Sequence, residues 1–243
     1  MLFSGDGLGA DEAEARRWYE AAADGGNRTA QLNLAWMLHH GRGGERDLDA
    51  ASERYEQAAL QGSGDAMLRL AFFHDGDDRG AQPLKALPWF LAAAANGSGR
   101  AMNAIGYYFG TGTAVPEDQE MAATWYRRAA LAGDELGRYN LAVRLADGFG
   151  VREDDVEALR WMRLAAEQGE PDARLRLAQM LRDGEGAEAD GVEAYAWLSL
   201  AAEDGASGAL EEREALGERL RAAGALDDAE ASLSVLRARL QDG

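Results

Sequence analysis

The chain has 243 residues, 47% hydrophobic and 28% charged, with a net charge of −18 and no cysteine. The missing cysteines exclude disulfides, thiolate zinc sites and cysteine nucleophiles. The acidic balance, with Lys85 the only lysine, argues against nucleic acid as a partner, because phosphate contacts need clustered Lys and Arg.

Taken in order, the chain predicts a remnant of a helix and its turn over 1–9, then alternating helices: 11–24, 28–40, 47–61, 64–75, 83–96, 99–110, 118–132, 135–147, 154–168, 171–183 and 190–204. The reason is an internal period. Trp18, Arg54, Trp89, Trp125, Trp161 and Trp197 lie 36, 35, 36, 36 and 36 residues apart. Around each of these anchors the residue types recur: alanine three before, four after and five after, and glycine eight after, as in Ala122, Ala129, Ala130 and Gly133. A fixed period of this size means stacked helical hairpins that bury their apolar faces only against their neighbours.

In each unit the second helix, helix B, starts at an N-cap column of Asp11, Asp47, Gln82, Asp118, Asp154 and Asp190. Glu14, Glu157 and Glu193, three residues on, are expected to complete capping boxes. The tryptophans are expected to supply much of the buried area. The glycine eight past the anchor ends the helix in a left-handed conformation. Helix A carries small and branched columns such as Ala30, Leu34, Ala35 and Leu38, and is joined to helix B by a Gly-x-Gly turn. Pro88 inside one helix B predicts a kink or a late start there. Past residue 205 the pattern changes to two charged amphipathic helices. The chain is therefore divided into a repeat array, 1–205, and capping helices, 206–243.

The combined pattern, helix A with Ala-x-x-x-Leu-(Ala/Gly), a Gly-x-Gly turn, then Asp and "AATWYRRAALAG" at Ala122–Gly133, resembles the Sel1-like repeat, one of the tetratricopeptide-like solenoids. The resemblance implies an all-α fold: a right-handed α/α superhelix of about six 36-residue repeats. It also implies a non-catalytic scaffold that binds a protein or peptide in a concave groove lined by helix A. Carried over by register, the groove column two past each core leucine or isoleucine reads Trp36, Phe72, Tyr107, Val143 and Gln179. Asn33, Arg69, Asn140 and Arg176 flank it, with Arg100, Asn103, Tyr139, His39, His40 and Arg182 around them. Aromatic side chains offer desolvated anchors, and Asn and Arg can hold a peptide backbone or carboxylate.

Other chemistry finds little support. The Gly-x-Gly turns follow no strand and lack Gly-Lys-Ser/Thr, so they are interhelix turns rather than phosphate loops. Adjacent His39 and His40 point about 100° apart on a helix and are poor co-ligands, so no metal or cofactor is expected. The alternative function is a cell-envelope enzyme or regulator acting on glycan or peptidoglycan, but no catalytic set can be assembled for it. The acidic surface would favour a basic ligand. The incomplete first repeat would allow end-to-end self-association. No apolar run approaches a membrane helix. As given, the chain reads as cytoplasmic, or as periplasmic or secreted if a leader once preceded it.

Overall fold

The computed structural model describes residues 11–76 and 80–241. Among them are thirteen helices and no strand: α1 (Glu12–Asp24), α2 (Arg28–His40), α3 (Leu48–Leu60), α4 (Gly64–Asp75), α5 (Pro83–Ala95), α6 (Gly99–Thr111), α7 (Gln119–Leu131), α8 (Glu135–Asp147), α9 (Asp155–Gln168), α10 (Pro171–Asp183), α11 (Gly191–Glu203), α12 (Ala209–Ala223) and α13 (Leu226–Gln241). The expected remnant at 1–9 lies outside the described residues. The chain forms two compact units, 1–101 and 102–243, the boundary falling inside α6. In the first, α1 to α5 pack each on the next; in the second, α7 to α12 do so, and α13 packs chiefly on α11.

The helix boundaries follow local chemistry. Asp11, Asp47, Asp118, Asp154 and Asp190 each accept a hydrogen bond from a first-turn N–H, satisfying one of the orphan donors at a helix start. Gln82 makes no such bond, and Pro83 occupies the first turn instead. At the other end, Gly26, Gly62, Gly97, Gly133, Gly169 and Gly205 all have positive φ. There the chain reverses with paired backbone bonds such as Gly133 N–H to Ala130 O and Asp134 N–H to Ala129 O, both 3.1 Å.

Three expectations are corrected. The capping boxes expected at Glu157 and Glu193 do not form, because the N-cap backbone N–H is already used. Asp154 N–H donates to Leu145 O and Asp190 N–H to Leu181 O, closing the turn from the preceding helix A. This leaves Glu157 and Glu193 free to accept from the indoles of Trp161 (3.0 Å) and Trp197 (3.1 Å), and from Arg127 and Arg163 of the preceding helix B. The Arg127 hydrogen bond holds the Glu157 carboxyl below its usual range. Burial would raise that of Glu193, but hydrogen bonds from Arg163 and Trp197 outweigh it. These pairs are partly exposed, so they set the stagger between neighbouring B helices more than they add stability.

The second correction concerns the core. The tryptophan column is not uniformly buried: Trp18 is 64% exposed and Trp197 0%. The continuous core column is the residue after it, Tyr55, Phe90, Tyr126, Met162 and Leu198, all buried. It shares a helix face with the alanines three before and four after the anchor. Third, of the two outcomes expected at Pro88 the late start does not occur, since α5 begins at Pro83. Pro88 and Leu84, the residue whose carbonyl loses its helical donor, are both exposed.

One turn departs from the others. Gly43, Gly150 and Gly186 hold positive φ in the second glycine position of their turns, whereas Ala114 holds φ 61° at the matching place. A Cβ in that conformation costs about 1 kcal/mol. Ala114→Gly is therefore expected to stabilise the chain by roughly that amount, read as a rise in the urea midpoint at unchanged m-value. No rise would mean that Ala114 does not keep the left-handed conformation in solution.

Candidate functional site

In the first unit the residues on the helix A face converge. Asn33 and Trp36 on α2 and Arg69 and Phe72 on α4 occupy the same two columns one repeat apart, three residues apart on each helix. Two pockets open there. One of about 340 Å3 is lined by Tyr19, Leu32, Asn33, Trp36 and Arg69. The other, about 390 Å3, is lined by His39, His40, Tyr55, Asp65, Leu68, Arg69, Phe72, Phe73 and Arg100. Arg69 belongs to both. All seven groove residues expected in this unit (Asn33, Trp36, His39, His40, Arg69, Phe72 and Arg100) line one or other pocket.

The side chains are held by their neighbours. The His40 ring stacks on Trp36 at 4.6 Å and 28°, and its Nδ1 lies 2.8 Å from the Trp36 carbonyl oxygen. His39 meets Phe73 edge-on at 5.1 Å. The Arg100 guanidinium lies 5.3 Å over the Phe72 ring. The buried Tyr55 phenol, from helix B, lies close to the Arg69 guanidinium. Burial pushes the Tyr55 phenol up to about 12 although Arg69 opposes the shift, so it stays neutral. A neutral, buried phenol beneath an exposed guanidinium fixes where that charge sits.

Tyr19, Leu32, Tyr55, Asp65, Leu68 and Phe73 also line these pockets and are not among the expected groove residues. Tyr19 and Tyr55 sit in the core column of helix B, and nothing in their spacing reveals that this column reaches the floor of the pockets. Among the described residues no three His, Asp or Glu side chains are grouped to hold a metal ion.

In the second unit the expected residues are arranged differently. Tyr107 is 56% exposed. The Asn140 amide donates to Asn103 Oδ1 at 2.9 Å, joining α8 to α6. Tyr139 is half-buried against the core, and burial with nearby Asp172 and Glu170 raises its phenol pKa. Arg176 pairs with Glu185 at 2.8 Å. The Gln179 amide donates to Glu212 at 2.8 Å, and Arg182 reaches Glu212 at 2.7 Å and Asp183 at 2.6 Å. Glu212 stands on α12, so that helix occupies the polar groups at the end of this face.

Comparison with known proteins agrees with this architecture. The Sel1 repeat model matches residues 1–27, 29–63, 64–98, 99–134, 136–170 and 171–205. The structure is similar to a Sel1 repeat protein from Oxalobacter formigenes, with a TM-score of 0.73 and 25% identity over 84% of this chain and 87% of that one. It is also similar to c5321, a protective antigen of uropathogenic Escherichia coli with an SLR fold: TM-score 0.56, 27% identity, 100% of this chain and 62% of the other. A Sel1 repeat protein from Klebsiella pneumoniae shares the fold at TM-score 0.51 and 24% identity, over 83% of this chain and 98% of that one. No curated protein matches the chain. No helix among the described residues is long and apolar enough to cross a membrane.

Proposed function

The chain belongs to the Sel1 repeat family, whose α/α solenoids are typically non-catalytic protein-interaction scaffolds, and from that premise we propose that it binds an extended peptide segment of a partner protein on the helix A face of its first unit. The observation that carries this reading is the pair of adjacent pockets sharing Arg69. Trp36 and Phe72, one repeat apart, stand in separate pockets as apolar anchors. Asn33 and Arg69 lie between them, with amide and guanidinium groups suited to peptide carbonyls. Rigid aromatic side chains with few rotatable bonds lose little entropy on binding. In the second unit Arg176 and Gln179 keep the intrachain partners described above, and the proposed site lies wholly within the first. Residues 206–243 serve as the cap: α12 and α13 cover α11 and leave charged faces outward.

The test is selection of binders from a displayed random-peptide library on the purified chain, followed by titration of the selected peptides. Trp36→Ala with Phe72→Ala is expected to weaken binding at least tenfold, since buried aromatic anchors dominate interfaces. Selected peptides that bind the double variant as tightly as the parent would reject this site.

A further inference from the structure

The chain is acidic overall, yet one of its pockets is cationic. Arg127, Arg163 and Arg174 are neutralised by Glu157, Glu193 and Asp204. Arg69 and Arg100, both exposed, have no carboxylate partner among the described residues: Arg69 stands close to the Tyr55 phenol and Arg100 lies over Phe72. Both line the pocket of about 390 Å3, where Asp65 is the single acid. With Arg69 and Arg100 against Asp65, the arginines outnumber the acid in this pocket by one. Its remaining walls are apolar or aromatic, with Leu68, Phe72 and Phe73 prominent.

We propose that this pocket captures the free C-terminal carboxylate of a peptide whose last side chain is aromatic or aliphatic. The inference rests on the scaffold reading above and names the kind of ligand end it takes. A terminal residue carries its carboxylate and its side chain on the same Cα. It can therefore present an anion to the guanidiniums and an apolar group to Phe72 and Phe73 at once. An internal Asp or Glu offers the anion without the apolar group, and needs room for the chain to leave on both sides. Guanidinium–carboxylate hydrogen bonds are short and charge-assisted, and Arg69 and Arg100 line the same pocket. The residues preceding the terminus then run into the neighbouring pocket at Trp36, on the other side of Arg69. Overall charge would favour a basic ligand, and the local field at Arg69 and Arg100 favours an anionic end. A basic segment upstream of an apolar C-terminus satisfies both.

The experiment uses a synthetic array of octapeptides made in two forms, with free C-terminal carboxylates and with C-terminal amides, probed with the labelled full chain. Free-acid peptides ending in an apolar residue are expected to bind, and their amides to bind at least tenfold more weakly. Arg69→Gln and Arg100→Gln, both at exposed positions, are each expected to narrow that gap. Equal binding of acid and amide forms overturns the carboxylate assignment; if Trp36→Ala with Phe72→Ala still weakens those peptides, the scaffold reading stands without it. An array on which neither form binds overturns both.

Discussion

Gly150→Ala is expected to destabilise the second unit by about 3 kcal/mol, among the larger effects of a single methyl group. Two costs add. Gly150 has φ 76°, where an L side chain pays about 1 kcal/mol. In addition, a Cβ there would stand 2.1 Å from the Gln119 carbonyl oxygen and 2.4 Å from its carbon, backbone atoms at the start of α7. Such a contact cannot be relieved by turning a side chain. The turn must move away from the helix one repeat earlier, and overpacking of this kind costs about 1–3 kcal/mol. Gly205→Ala is the control. It has φ 81° but nothing within 4 Å of the added Cβ, so only the conformational cost of about 1 kcal/mol applies. Urea unfolding followed by far-UV circular dichroism separates the two. Equal midpoints for the variants would show that the turn does not rest on the preceding helix in solution.

The same column of the repeat predicts opposite outcomes at its two ends. Trp197→Ala is expected to cost about 3–5 kcal/mol, because the indole is wholly buried in a cluster with Leu216, Leu220 and Leu236 of α12 and α13. Its loss also leaves Glu193 without one of its donors. Trp18→Ala is expected to cost under about 1 kcal/mol, since that side chain is 64% exposed and its indole makes only a long bond, 3.4 Å, to Glu14. Thermal melts of the two variants measure the difference. A Trp18 variant as unstable as the Trp197 variant would mean that Trp18 is covered in solution.

These contrasts show where periodicity stops being informative. Repetition identifies equivalent positions, and equivalent positions share backbone geometry: the Asp N-caps, the positive-φ glycines and the buried alanines recur because each is set within one hairpin. Side chains that meet another repeat need not recur in role. Glu157 and Glu193 read locally as capping residues, yet they bridge to the arginine of the preceding helix B, because the turn from helix A has already used the N-cap donor. Trp125 shows the reverse. With Met121 where Trp18, Trp161 and Trp197 have Glu14, Glu157 and Glu193, its buried Nε1 has no hydrogen-bond partner among the described residues, and Arg128 lies 4.6 Å over the ring instead.

The candidate site divides in the same way. Asn33, Trp36, Arg69 and Phe72 were legible as a face because helical spacing places residues three apart on one side. That Tyr55 rises from another helix beneath Arg69, that Arg69 and Arg100 meet no carboxylate, and that Glu212 occupies Gln179 and Arg182 depend on which helices lie against one another. By itself the sequence determined the helical hairpin, its caps, its stop and its repetition, since these follow from backbone hydrogen bonding and side-chain sterics over a few neighbouring residues. Only the tertiary structure decided which columns are core, which charges are paired and which aromatic groups stand over open pockets, because burial and pairing belong to contacts between helices rather than within one.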